Sequence, residues 1–230
     1  MELLVTYEDL ISYVDKKGML AFYGKMPAGF VTLEALTLEK NWHTGDPDTD
    51  PWRWKDRAVS EHKLAFGCVL NGHKGFLSKD MYALFYDAFY DAIPLEERYL
   101  DGLVPKMEME IYRMFLSGAV LSTADVRSAL HVTKKHGASE ADSALKSLQR
   151  QFLISVCGSK RKLSFEGLEY GWPANAYCLT ELWAKEWLTK KHLKREDARA
   201  HILDHCEAQS IGESREKVNK ALFLHGKAKG

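Results

Sequence analysis

Residues 41–57 read Asn-Trp-His-Thr-Gly-Asp-Pro-Asp-Thr-Asp-Pro-Trp-Arg-Trp-Lys-Asp-Arg, which puts one imidazole, several carboxylates and three indoles in a short span. A positioned carboxylate or imidazole can activate water, and an indole can stack on a planar base. Enzymes that act on an extruded nucleobase need both. On that chemistry His43, Asp46 and Asp50 are the catalytic candidates, and Trp42, Trp52, Trp54 and Arg57 are the candidates for lining a pocket. The same residue types admit a structural account. Aspartates beside proline and glycine hold turns and cap helices, tryptophans fill a core, and Arg57 or Lys55 balances the acids. Both readings stand on the sequence alone, with caps and Asp-Pro steps explaining half of the segment.

A second group of residues suits a polyanion. Between Arg127 and Lys162 there are eight basic side chains against two acidic ones, Glu140 and Asp142. Ser143, Lys146, Ser147 and Arg150 recur at helical spacing, a set that fits phosphate and base-edge contacts. Lys160, Arg161 and Lys162 follow in an unbroken run that can neutralise further phosphates. Metal chemistry finds less support. His201 and His205 stand four apart with Cys206 adjacent, but no glutamate completes a zinc-protease pattern. None of the four cysteines, Cys68, Cys157, Cys178 and Cys206, lies in a CxxC pair. No metal and no cofactor is expected. Cys157 and Cys178 fall on adjacent strands of one hairpin, and reduced, buried thiols are the expected state.

The elements that must carry these groups follow from patterning. Thr6, Asp9 and Gly18 bracket a helix over 7–17 through a capping box and a glycine stop. Phe30–Leu38 shows helical spacing. Asp50 as N-cap and Pro51 at the first helical position start a helix expected to run to Leu70, where Asn71-Gly72 ends it. A short extended piece over 75–77 precedes a helix from Ser78 to Ala92. Its Tyr82, Phe85, Tyr86, Phe89 and Tyr90 share one broad face and read as core. A connecting helix covers 95–100. Then come a helix over 106–116 burying Met107, Ile111, Met114 and Phe115, a short helix over 124–130, and a turn at Lys134–Gly137. A third helix opens on a capping-box variant of Ser139 and Asp142, with Ala141, Ala144, Leu145, Leu148 and Phe152 inward. Apolar runs 153–157 and 176–180, joined by a long loop, make a wing. Three helices followed by a hairpin is the winged-helix order, with the third helix placed for the major groove. Thr180 caps a helix that includes Trp183 and Trp187. Lys190-Lys191-His192 follow, then helices over 196–207 and 213–223 and a frayed polar tail.

The fold class is therefore mainly α with small β-hairpins: a winged helix-turn-helix module plus a helical N-terminal half. Expected domains are 1–105, 106–180 and 181–230. A chain of 230 residues can bury a substantial core, and its 46% hydrophobic and 28% charged content is that of a soluble globular protein. No apolar run reaches the roughly 20 residues of a membrane span. The start, Met-Glu-Leu-Leu-Val-Thr-Tyr-Glu-Asp, carries acids where a secretory signal has basic residues, so a cytoplasmic location is expected. The formal net charge is zero. It hides an asymmetry: residues 1–105 hold 11 Lys/Arg against 17 Asp/Glu, and residues 106–230 hold 21 against 15. That split can draw the basic half to a nucleic acid, or help two halves or two copies pack.

The segment Trp42–Arg57 resembles a signature of bacterial AlkZ-related proteins, and the resemblance extends over most of the chain, including the winged segment and the 196–207 helix. It implies architectural kinship with the AlkZ/YcaQ-type DNA glycosylases, which are built from winged helices and remove alkylated bases using a Gln-aliphatic-Gln motif. This sequence departs from that pattern. Its Gln-x-Gln is Gln149-Arg150-Gln151, charged in the middle and at the end of the third helix, and the catalytic role is not carried over to it. The leading expectation is a DNA-binding protein. The alternatives are a glycosylase or other lesion-processing enzyme, and an interaction module, possible homodimer or winged-helix transcription regulator.

Overall fold

A computed structural model describes residues 3–133, 135–189 and 191–224, with the side chains of Lys162, Leu163 and Trp172 left out. The elements in chain order are α1 (Tyr7–Lys17), β1 (Met19–Ala21), α2 (Pro51–Ser60), β2 (Ala65–Leu70), β3 (His73–Leu77), α3 (Lys79–Phe89), α4 (Leu95–Leu100), α5 (Lys106–Phe115), β4 (Leu121–Ser122), α6 (Thr123–Ala129), α7 (Ala138–Arg150), β5 (Ile154–Leu163), β6 (Glu169–Leu179), α8 (Thr180–Trp183), α9 (Arg195–Ala208) and α10 (Arg215–Phe223). They form two compact units, Met1–Phe89 with Trp187–Gly230, and Tyr90–Glu186. The sequence reading drew its boundaries at 105 and 180 instead. Lys134, expected in a turn, Lys190, expected just after the Thr180 helix, and the tail at 225–230, expected to fray, lie outside the described residues.

In the first unit α1 starts as its capping box requires. The Thr6 hydroxyl accepts from the Asp9 N–H, and the Asp9 carboxylate accepts from the Thr6 N–H at 2.8 Å. The helix stops at Gly18, at φ 80°. A Cβ there would come within 2.7 Å of His205 Nε2 and 2.8 Å of Met81 Cε, so only glycine fits both the turn and the packing. α2 opens as expected on Asp50 and Pro51 but ends at Ser60, not Leu70. His62 takes a left-handed φ of 55°, and Ala65–Leu70 form a strand in a sheet ordered β1-β3-β2, with Phe66 opposite Phe76. A short, continuously apolar run suits a strand buried on both faces as well as a helix, and pairing with β3 decides the matter. The N-terminal half is thus mixed α/β rather than helical. Phe30–Leu38 is also not an α-helix. Thr32 bridges to Ala21, and a single 3₁₀ turn covers Glu34–Leu36.

Tyr7, Leu10, Val14, Phe22, Trp54, Phe66, Phe76 and Phe85 are buried in this unit. The C-terminal helices complete it. α9 packs on α3, and the ring of Phe223 lies 5.5 Å from Phe89. Lys17 Nζ donates to the Gln209 carbonyl, and His205 Nε2 to that of Lys17, both at 2.8 Å. His205 is therefore a packing residue, and His201 is exposed.

In the second unit α5, α6 and α7 pack with a sheet ordered β4-β6-β5. The buried set of α5 is Glu108, Met109, Ile111 and Phe115, shifted from the expected Met107 and Met114. The inward set of α7, Ala141, Ala144, Leu145 and Leu148, is buried with Phe152 as expected. α7 begins one residue early, after Gly137 at φ 79°, so Ser139 is not its cap. The hairpin is longer than its apolar runs suggested, because the polar residues 158–163 are paired strand rather than loop. It turns over 164–168, where Phe165 is fully exposed. α8 is a single turn, and Trp187 belongs to the first unit.

Candidate nucleic-acid interface

The 41–57 loop is organised by Asp50, which is 1% exposed. Its Oδ1 accepts from the N–H groups of His43 at 3.0 Å and Trp52 at 2.9 Å, and its Oδ2 from that of Gly45 at 2.8 Å. One carboxylate therefore caps α2 and holds the loop closed, with His43 at a left-handed φ of 64°. Asp46 Oδ1 accepts from the Asp48 N–H at 2.8 Å, and that bond, with others to Thr49, holds its carboxyl below the usual range. The Asp48 carbonyl accepts from the Tyr7 N–H at 2.8 Å and from Trp54 Nε1 at 3.0 Å. Its carboxylate pairs with Arg57 at 2.6 Å. Arg57 also donates to Glu61 at 2.8 Å and lies 4.0 Å over the Tyr7 ring. Tyr7 in turn donates to Glu61, and burial with that carboxylate raises its phenol pKa.

The indoles are packed as firmly. Trp54 is wholly buried. Trp42 donates to Thr37 Oγ1 at 2.9 Å, and its ring lies 5.6 Å from Phe22. Trp52 sits 5.9 Å from Phe22 and 5.0 Å from the exposed His43 ring. Lys55 balances Asp56 and not the turn aspartates that precede α2. It is buried, pairs with Asp56 at 2.6 Å and lies 5.0 Å from the centre of the Trp52 ring. A helical spacing of one gives no hint of that pairing, since neighbours i and i+1 diverge around the axis.

In the second unit, Ser143 and Lys146 are exposed on α7. With Arg127, Ala138, Ser139 and Asp142 they line an open depression of about 370 Å³. Asp142 is bridged by the guanidinium of Arg127, whose Nε stands 3.2 Å from Oδ1, so one of the two acids of this stretch is neutralised locally. Ser147 faces another way, its Oγ accepting from Gln151 Nε2 at 3.1 Å, and Arg150 is half-buried. On β5, Lys160 Nζ donates to the Val120 carbonyl at 2.6 Å and lies 3.9 Å from Asp125, while Arg161 is exposed. The Lys162 side chain lies outside the described residues.

Both amides of the Gln-x-Gln segment are occupied by the fold. Gln149 is buried and donates to the Leu145 carbonyl at 3.0 Å. Gln151 donates to the buried Glu108 at 2.6 Å and accepts from Arg98 at 2.9 Å, tying α4, α5 and α7 together. The sequence reading missed this network because its members lie far apart in the chain. Among the described residues no cluster of three or more His, Cys, Asp or Glu has metal-ligating geometry, and no helix is long and apolar enough to cross a membrane.

A family model described as AlkZ related matches residues 4–223. No curated protein matches the chain. Among solved structures, the chain is similar to the Streptomyces sahachiroi DNA glycosylase AlkZ, at 14% identity and a TM-score of 0.47, over 79% of this chain and 48% of that one. The chain thus spans about half the length of that structure.

Proposed function

The chain belongs to the AlkZ-related family, and from that premise we propose that its Tyr90–Glu186 unit is a winged helix-turn-helix module that binds DNA. The observation that carries the reading is the outer face of α7. Ser143 and Lys146 stand in solvent beside the Arg127 that also lines the depression, on the last of the helices α5, α6 and α7 that precede the β5/β6 hairpin. A helix so placed can enter a major groove, with its serines and lysine on phosphates and base edges and Arg161 of the wing on the backbone. Within the set expected from sequence, Ser143, Lys146 and Arg161 make the primary contacts. Lys160 and Ser147 are held by the fold, so their contribution is smaller, and Arg150 extends the surface.

Fluorescence anisotropy with a labelled duplex tests this. Joint Lys146→Glu and Arg161→Glu substitution lowers affinity by about 10- to 100-fold at low salt while the unfolding midpoint stays put. Undiminished binding by the folded double variant contradicts the reading.

A second reading, removal of damaged bases, is favoured by one observation, the exposed His43 ring set against Trp52. Release of free base from alkylated duplex, abolished by His43→Ala but kept in wild type, is its signature. We assign Asp50 the structural role, because backbone N–H groups occupy both of the oxygens that a general base must offer to water, and Asp46 the holding of the turn at Asp48.

A further inference from the structure

Cys157 and Cys178 lie at the one place in the β5/β6 hairpin where the ladder changes step near its base. Ser155 faces Cys178 and Val156 faces Tyr177, but Gly158, not Cys157, faces Ala176. Cys157 is therefore the unmatched residue of a β-bulge, freed from strict cross-strand geometry and able to lean toward its neighbours. Its Sγ donates to the Ala176 carbonyl oxygen at 3.5 Å, and Cys178 stands on the facing strand opposite Ser155, two residues before Cys157. The two thiols differ in access. Cys157 is half-buried beside Gly158, whose missing Cβ would meet open space, whereas Cys178 is buried behind it.

We infer that Cys157 is an oxidation site for hydrogen peroxide and that Cys178 resolves the product to an intrachain disulfide across the hairpin. The Cys157 thiolate attacks one peroxide oxygen and the O–O bond breaks. The sulfur becomes a sulfenic acid, and the departing oxygen leaves as water after taking a proton. The Cys178 sulfur then attacks Cys157 Sγ, the S–O bond breaks, and the leaving hydroxide takes the Cys178 proton as a second water. Two thiols and one peroxide thus give one disulfide and two waters.

The two thiols are polarised in the sense this sequence needs. A thiol proton donated by Cys178, helped by the nearby Lys160 charge, holds Cys157 below the ordinary thiol range, and the same bond with burial pushes Cys178 up. Partial access and a facing thiol on the neighbouring strand, with a lowered pKa in support, together mark a peroxide-sensitive cysteine. Cys206 supplies the contrast. It is buried, its thiol is pushed up to about 12, and it should stay inert.

The inference rests on thiol chemistry and not on nucleic-acid binding, so it is tested without DNA. The reduced full chain is treated with a small excess of hydrogen peroxide, free thiols are blocked with an alkylating reagent, and the product is mapped by mass spectrometry. The expected result is a loss of about 2 Da, reversed by dithiothreitol, with the peptides of Cys157 and Cys178 linked. In Cys178→Ser the expected product is a sulfenic acid on Cys157, trapped by dimedone. The inference is overturned if Cys157 remains alkylatable, if Cys68 or Cys206 oxidises first, or if Cys157 proceeds to sulfinic acid in the wild type without a linked peptide. The wild-type map decides the matter even if the serine variant folds poorly.

Discussion

The 41–57 loop and the outer face of α7 are both rich in groups that could do chemistry, yet the two use them in opposite directions. In the loop, Asp50 faces three backbone N–H groups, Asp48 and Glu61 face Arg57, and Trp54 faces the core. On α7 Asp142, the acid that lines the depression with Lys146, is occupied by Arg127, and Lys146 is left in solvent. Residue type and density therefore do not separate a site from a scaffold. What separates them is whether nearby backbone donors and opposite charges already satisfy the polar atoms.

The sharpest way to break this contrast is at Asp50. Asp50→Ala strips the acceptor from three N–H groups at a nearly buried position and should cost about 2–4 kcal/mol in urea unfolding of the first unit. Duplex affinity of the folded variant should stay within about twofold of wild type, because the proposed interface lies in the other unit. A small stability cost with a large loss of function would instead make the loop a site.

A milder change sharpens the other side. Asp142→Asn releases Arg127 and removes a negative charge from the depression beside Lys146, so duplex affinity should rise several-fold at low salt. Since both partners are substantially exposed, stability should fall by no more than about 1 kcal/mol. An unchanged affinity would place the contact surface elsewhere.

The smallest effect is one of pH. Asp125 is the third helical residue of the α6 capping box, and the N–H of the cap, Ser122, holds its carboxyl below the usual carboxylate range. A depressed carboxyl contributes stability that is present above its unfolded pKa, near 4, and lost as pH falls through the folded value. Asp125→Asn should therefore flatten the acid limb of the stability curve below about pH 4 and lower stability at neutral pH slightly, as read by thermal unfolding across pH. An acid limb identical to wild type would mean that this cap carries no charge-dependent stability.

Much of the architecture was legible because its signals are local. The Thr6–Asp9 box, Gly18, and the Asp50-Pro51 start each act within a few residues, and the inward stripe of α7 follows from a 3.6-residue period. β2 was not legible, since a six-residue apolar run carries no period that separates strand from helix until β3 is there to pair with it. The C-terminal helices were assigned apart from the first unit for a related reason. Contacts far away in sequence join them, among them the packing of Phe223 on Phe89 and the bonds of Lys17 with Gln209 and His205. Within the candidate site, the basic character of 127–162 was readable, but its partition was not. Which lysine stays in solvent and which reaches a carbonyl such as that of Val120 depends on how β5 crosses the sheet.

The central claim, an open cationic face on the second unit that neutralises phosphates, is tested most directly by the salt dependence of duplex binding for the full chain and its Lys146→Glu/Arg161→Glu variant. A logarithmic plot of the association constant against salt should be linear for the wild type, and its slope should shrink by about 2 in the double variant, at roughly 0.9 for each lost phosphate contact. Equal slopes for the two proteins, or an association constant insensitive to salt, would contradict it.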